Sequence, residues 1–261
     1  MFGKSAGGLI GIAPDLAFDS PRRSYWSFFF FRWFCGVASN IMSGAVAERM
    51  RFPAYCITAV IISAISYPAS GHWVRAGVFT CTSTGWLSQL GFIDFANSTV
   101  AHSVGGWVSL AAVLIVGPRV ERFSENRRPI DGHDLTNATL GVFWRWFGWF
   151  GFNGGNLLAI TEKTPIIINT AVGGAAGGLP AMAVSWWCYG VPTADKSMIG
   201  ALAGLVTIAA GAHLLAIPIA IVAGAVGGAV CVYGSSMLER VEIDDAVGAC
   251  PCICSRVFGA R

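Results

Sequence analysis

The sequence predicts an all-α fold, a polytopic transmembrane helical bundle of about seven spans, and three observations carry that prediction. Hydrophobic residues make up 54% of the 261 and charged residues only 12%, against roughly a quarter charged in an ordinary soluble domain; the mean hydropathy is +0.61. The apolar residues run continuously, in stretches close to the roughly 20 residues a helix needs to cross a bilayer core. Ionisable groups are scarce inside those stretches and gather between them. A membrane β-barrel would show short alternating segments instead, so the backbone hydrogen bonds must close within helices.

Residues 1–23 contain Gly7, Gly8, Gly11 and Pro14 and read as loop. They lack the charged, apolar and small-residue order of a cleavable signal peptide, which leaves the first span as the anchor. Spans are expected at 24–47, 53–73, 98–118, 136–158, 165–189, 197–215 and 217–238. Residues 74–97 form a longer loop ending at Asp94, whose carboxylate can cap the next helix. Residues 117–135 are the strongly polar stretch, and no separate soluble domain is visible. Gly173, Gly174, Gly177 and Gly178 cluster in one span, and Gly224 and Gly228 stand at GxxxG spacing in another. Lipid provides little hydrophobic drive for helix association, so such small residues point to close backbone packing.

The net charge of +3 is small and its carriers lie between spans, which gives nucleic-acid binding no support. Their distribution predicts topology. Arg49 and Arg51, then Arg119, Arg122, Arg127 and Arg128, then Lys196, then Arg240 mark alternate loops, and the intervening ones hold only Arg75 and Lys163. The richer loops are expected to face the cytoplasm, with the N-terminal tail outside and the C-terminus inside. That makes the chain a multi-pass protein of the cell membrane. Cys35, Cys56, Cys188 and Cys231 fall in apolar spans and read as small buried hydrophobes rather than a disulfide framework.

Ionisable groups in hydrocarbon are costly, so the few inside spans are functional candidates. His102 leads them, because a neutral imidazole is tolerable at depth and can donate at one ring nitrogen and accept at the other. A packing histidine bonded to a neighbouring helix is the alternative. Phe30 and Phe34 share a helix face, as do Phe152 and Asn156. Stacked aromatics there can form a hydrophobic constriction or simply pack. Arg32 and Arg145 lie within spans with no acidic partner in the apolar segments. Two isolated arginines do not make a voltage sensor.

Four blocks in order, SGAVAERMRF (43–52), GFIDFANSTVAHSVGGWVSLAAVLIVGPR (91–119), GWFGFNGG (148–155) and IGALAGLVTIAAGAH (199–213), resemble the Amt/Mep/Rh ammonium transporter family. The similarity runs from about residue 1 to 249 and implies the third to ninth of that family's eleven helices. It implies a pore for ammonium or ammonia in a lipid bilayer, a homotrimeric assembly and no cofactor. Phe34 and Phe152 match the paired aromatic gate, Phe30 another phenylalanine of the same helix, and His102 the first of two pore histidines. Asp94 matches the acid that organises the outer recruitment site, expected here to act as cap and backbone organiser.

The sequence departs from the pattern at two positions and in its tail. Arg75 stands in place of the recruitment tryptophan, with Trp73 two residues earlier as a partial substitute; a cation there repels ammonium by about 1 kcal/mol at 4 Å in water and about 4 at an effective dielectric of 20. Asn156 replaces a serine while keeping a hydrogen-bond acceptor. Residues 1–249 read as a partial transporter membrane domain and 250–261 as a divergent tail. The tail, Cys250-Pro251-Cys252-Ile253-Cys254, stands where the family has its second histidine. A reading frame shifted near codon 249 is expected in preference to a soft-metal site, because the spacing is not a usual zinc pattern. Transport is the leading function, with the membrane part of an ammonium sensor and a non-conducting fragment as alternatives. Little conduction is expected of the 261 residues alone. No nucleophile–base constellation suggests an enzyme.

Overall fold

The computed structural model describes residues 5–6, 10–11, 22–75, 85–123, 130, 132–155 and 163–250, with side chains from Trp33 onward except those of Arg75 and Lys163. Within the stretch expected to be loop, β1 (Ser5–Ala6) and β2 (Ile10–Gly11) pair antiparallel. Every other regular element among the described residues is helical. The first long helix is α1 (Arg22–Ala45). A continuous second helix follows as α2 (Phe52–Ile61), a π turn (Ile62–Ser66) and α3 (Tyr67–Arg75). Pro68 explains the π turn: it lacks an N–H and its ring crowds the preceding turn, so the helix widens to accommodate it. Within the expected loop at 74–97, the described residues form one short helix, α4 (Trp86–Gln89).

A second π turn (Ser98–Ser103) leads directly into α5 (Val104–Val116). Then come α6 (Leu135–Gly154), started by Asp134 accepting from Asn137 N, and α7 (Lys163–Tyr189). The bundle closes with α8 (Ala194–Ala209) and α9 (Ile217–Arg240). Among the described residues, seven long helical stretches fall on the seven expected spans. The sixth is shorter than the apolar run from 197 to 215 suggested, because α8 stops at Ala209 and the remaining residues turn toward α9. Four stretches are long and apolar enough to cross a membrane by length and composition: Phe52–Val74, Ser98–Val116, Thr164–Tyr189 and Ile217–Arg240. Only 11% of an 18-residue apolar stretch of the first is buried inside the protein, so its outward side chains, Ile57, Val60 and Ile65 among them, need an apolar surrounding. Of the four span cysteines only Cys231 is buried, and Cys56 lies on an exposed face, which corrects the reading of all four as buried.

Helix α7 packs against both α8 and α9 with three glycine ladders in register. A methyl group on Gly204 would lie 3.1 Å from Gly177 Cα, and one on Gly224 would lie 2.8 Å from Gly173 Cα. Both are closer than the 3.5–4.0 Å at which carbon atoms rest. The Gly173/Gly177 face therefore touches Gly200/Gly204 of α8 and Gly224/Gly228 of α9 backbone to backbone. Sequence spacing revealed the α9 ladder and the α7 cluster; their common use with Gly200 and Gly204 is visible only in the fold.

One end of the bundle is tied by charge. Asp244, 3% exposed, accepts from Arg49 Nη1 at 2.7 Å, Arg119 Nε at 2.8 Å and Arg119 N at 2.9 Å. Arg119 also reaches Glu48 at 2.9 Å, while Arg122 and Lys196 each lie 3.6 Å from Glu239. Four loops that the charge pattern assigned to one side of a membrane thus meet at one end. Burial alone would raise the Asp244 pKa, but the side-chain and backbone hydrogen bonds from Arg119, with the charges of Arg119 and Arg49, hold it below the ordinary value. Conversely, the Asp244 hydrogen bond raises the Arg119 pKa against the opposing effect of burial.

Candidate functional site

The helix ends away from the charged cluster carry the turn that presents His102. Asn97 enters that turn in the left-handed region at φ 57°, which asparagine tolerates better than most residues. Asp94 then receives Thr99 N at 2.7 Å and Val100 N at 3.0 Å on one carboxylate oxygen, satisfying amides that the helix start leaves without partners. Ser98 Oγ ties the same turn to Val206 O of α8 at 2.6 Å. The π geometry offsets the side-chain register, and His102 points inward at 7% exposure.

Around it stand aromatics from two other helices. Trp149 of α6 stacks on the imidazole with ring centroids 5.3 Å apart and planes 12° from parallel. Phe152, three residues on, tilts toward the same imidazole at 5.7 Å. Phe34 of α1, 4% exposed, meets Phe152 edge-on at 4.3 Å, the arrangement in which a positive ring edge faces a negative ring face. The fold thus brings together three residues 118 positions apart in sequence at the extremes, on three helices, and adds Trp149.

Trp149 was missed in the sequence. Its signal was position, one helical turn before Phe152 on the same face. Its indole N–H has no acceptor among the described residues. The next residue after Phe152, Asn153, is fully buried and donates to Thr170 Oγ1 of α7 at 2.9 Å. Thr170 in turn donates to Ile166 O at 2.7 Å, which fixes the amide orientation and leaves Asn153 Oδ1 without a donor among the described residues.

The remaining candidates divide. Asp94 braces the His102 turn from below. Trp73 is half-buried and faces Trp86 at 6.1 Å. Phe30 lies on α1 one turn before Phe34, and its side chain, with those of Arg32 and Arg75, is outside the described residues. Asn156 and the tail from Pro251 on also lie outside them. Arg145 is exposed on the outer face of α6.

Fold and site together define a polytopic helical membrane protein with a buried histidine set behind an aromatic pair. A profile of the Ammonium Transporter Family matches residues 1–252, and the chain belongs to that family. A putative ammonium transporter of Synechocystis is 41% identical over 257 residues, covering 95% of this chain and 48% of that protein. The ammonium transporter Amt2 of Archaeoglobus fulgidus is 40% identical over 249 residues, 90% of this chain and 51% of its own. Among solved structures, a sensor Amt protein superposes with a TM-score of 0.90 at 40% identity, covering 99% of this chain and 66% of that one. Saccharomyces cerevisiae Mep2 superposes at 0.74 with 29% identity, 85% of this chain and 48% of its own. The chain spans about half the length of the curated relatives it matches.

Proposed function

We propose that these helices form one wall of an ammonium pathway through the membrane, with Phe34 and Phe152 as its constriction and His102 as the polar group behind it. The observation that carries the reading is the edge-on Phe34–Phe152 contact immediately before a buried imidazole stacked on Trp149. A bare cation does not cross a desolvated aromatic constriction cheaply, whereas neutral ammonia does. Ammonium collects outside on aromatic faces and acceptor oxygens, gives up a proton, and passes as the amine. Beyond the constriction His102 offers a donor, an acceptor and a relay for the proton. The indole N–H of Trp149 suits the lone pair of ammonia, which ammonium lacks.

The process is permeation and needs no enzymatic turnover or cofactor. Assembly as a homotrimer with lipid on the outer faces accompanies this reading, as does an orientation with the Asp244 cluster in the cytoplasm. Asp94 acts by holding the His102 turn and Trp73 by presenting an aromatic face near the mouth, and the family resemblance assigns Phe30 and Asn156 to the same pathway.

The 40% identity to a sensor Amt protein supports a second reading, in which the same pore wall detects ammonium. Uptake of labelled methylammonium into cells without ammonium transporters separates the two. Uptake that falls in His102→Ala and in Phe152→Ala supports transport. Uptake indifferent to both substitutions refutes the assigned pathway. An ammonium-dependent change at His102 without uptake identifies the sensor.

A further inference from the structure

His213 lies in the turn between α8 and α9, at the end of the bundle away from the Asp244 cluster. Its imidazole stacks on Phe95, centroids 4.2 Å apart and planes 27° from parallel. Phe95 is the residue after Asp94, and the backbone there is pinned to the end of α8 by Phe95 N to Ala210 O and Ala96 N to Ala209 O, both 3.0 Å. The turn is itself held on either side of His213, because the buried Asn169 amide of α7 donates to Ala212 O at 3.0 Å and Leu215 O at 2.7 Å. A rigid path therefore runs from the His213 ring through Phe95 to Asp94, and from the Asp94 carboxylate through Thr99 N and Val100 N to the turn bearing His102.

We propose that His213 is a positioning residue for the His102 site: its neutral imidazole clamps Phe95 and so sets the Asp94 cap, and protonation releases the clamp. This deepens the pore reading and depends on it only for the importance of His102. The Nδ1 atom of His213 is enclosed without a partner among the described residues. In the neutral ring Nδ1 can remain an acceptor, but protonation would place a charged donor there with nothing to receive it. Burial accordingly lowers the His213 pKa, with no charged neighbour contributing to the shift. The cluster beside the stack, Ile166, Ile208, Ala212 and Ala220, contributes no charge, Asn169 faces the turn from α7 as a neutral amide, and Asp94 is the acid on the segment that His213 covers.

The chain contains four histidines, few enough to follow individually by imidazole NMR in detergent micelles, with single substitutions assigning each signal. In the unsubstituted chain the His213 signal should titrate below the ordinary imidazole midpoint of about 6.5, and the His102 signal should show an inflection at that same pH. His213→Phe keeps a ring on Phe95 but cannot titrate, so His102 should hold its high-pH position and lose that inflection. His213→Ala should place His102 at its low-pH position throughout. A His102 profile identical in the unsubstituted chain and in His213→Phe overturns the proposal, as does a His213 signal titrating at or above about 6.5. None of these readouts uses transport, so the pore reading can fail separately.

Discussion

Replacing Gly228 with alanine puts a methyl group against the backbone of α7. The new carbon would lie 2.7 Å from the Gly177 carbonyl carbon and 2.8 Å from its Cα, about 0.8 Å inside the normal carbon–carbon separation. No flexible side chain stands there to move aside, so α9 must part from α7 along the ladder. Overpacking of this kind costs about 1–3 kcal/mol, and an obstacle made of backbone places the expected loss near 3. Gly224→Ala should cost a similar amount against Gly173, but the double substitution should cost less than the two together, because one separation of the helices relieves both clashes.

Gly141→Ala is the internal control. It meets nothing within 4 Å, and alanine in place of a helical glycine should be neutral or stabilising by about 0.5–1 kcal/mol. Loss of helical circular dichroism during denaturant or thermal unfolding in mild detergent measures the four variants and the unsubstituted chain. A Gly228→Ala protein as stable as the unsubstituted chain, or strict additivity with Gly224→Ala, refutes the ladder as the basis of α7–α9 packing.

Asp244→Asn should lower stability by about 3 kcal/mol in the same assay, because Arg49 and Arg119 lose the buried carboxylate that neutralises them. The depressed Asp244 pKa sets the pH dependence: its contribution is complete above the unfolded carboxylate value of about 3.9 and disappears as pH falls through the lower folded value. Acid titration of stability should therefore show a loss below about pH 4 that Asp244→Asn does not share. Asp94→Ala should cost about 0.5–2 kcal/mol through the lost cap and move the His102 imidazole resonance, whereas Asp94→Asn, which keeps an acceptor oxygen, should do less of both.

Much of the site was readable because it rests on residue types that hydrocarbon seldom tolerates or on local spacing. His102 stands out as an ionisable group in an apolar run, and Phe152 as a large ring within GWFGFNGG. The Asp94 cap follows from a carboxylate placed just ahead of a helix. Trp149 and His213 were not singled out, since a tryptophan in a membrane helix and a histidine near a span end are both unremarkable until a partner ring lies over them. Those partners, His102 and Phe95, are distant in sequence, and only packing supplies them.

The same distinction holds for the whole molecule. Composition and the length of its apolar runs determined that this chain is a membrane-spanning helical protein, because a bilayer leaves the backbone no other means of satisfying its hydrogen bonds. Ordered motifs determined its family. Tertiary structure decided that three glycine ladders share one face of α7, that four basic loops meet at the cluster of Asp244 and Glu239, and that Phe34 closes on Phe152 before His102. Each of these depends on which helix faces come together in space, a choice made by shape and charge complementarity between segments far apart along the chain.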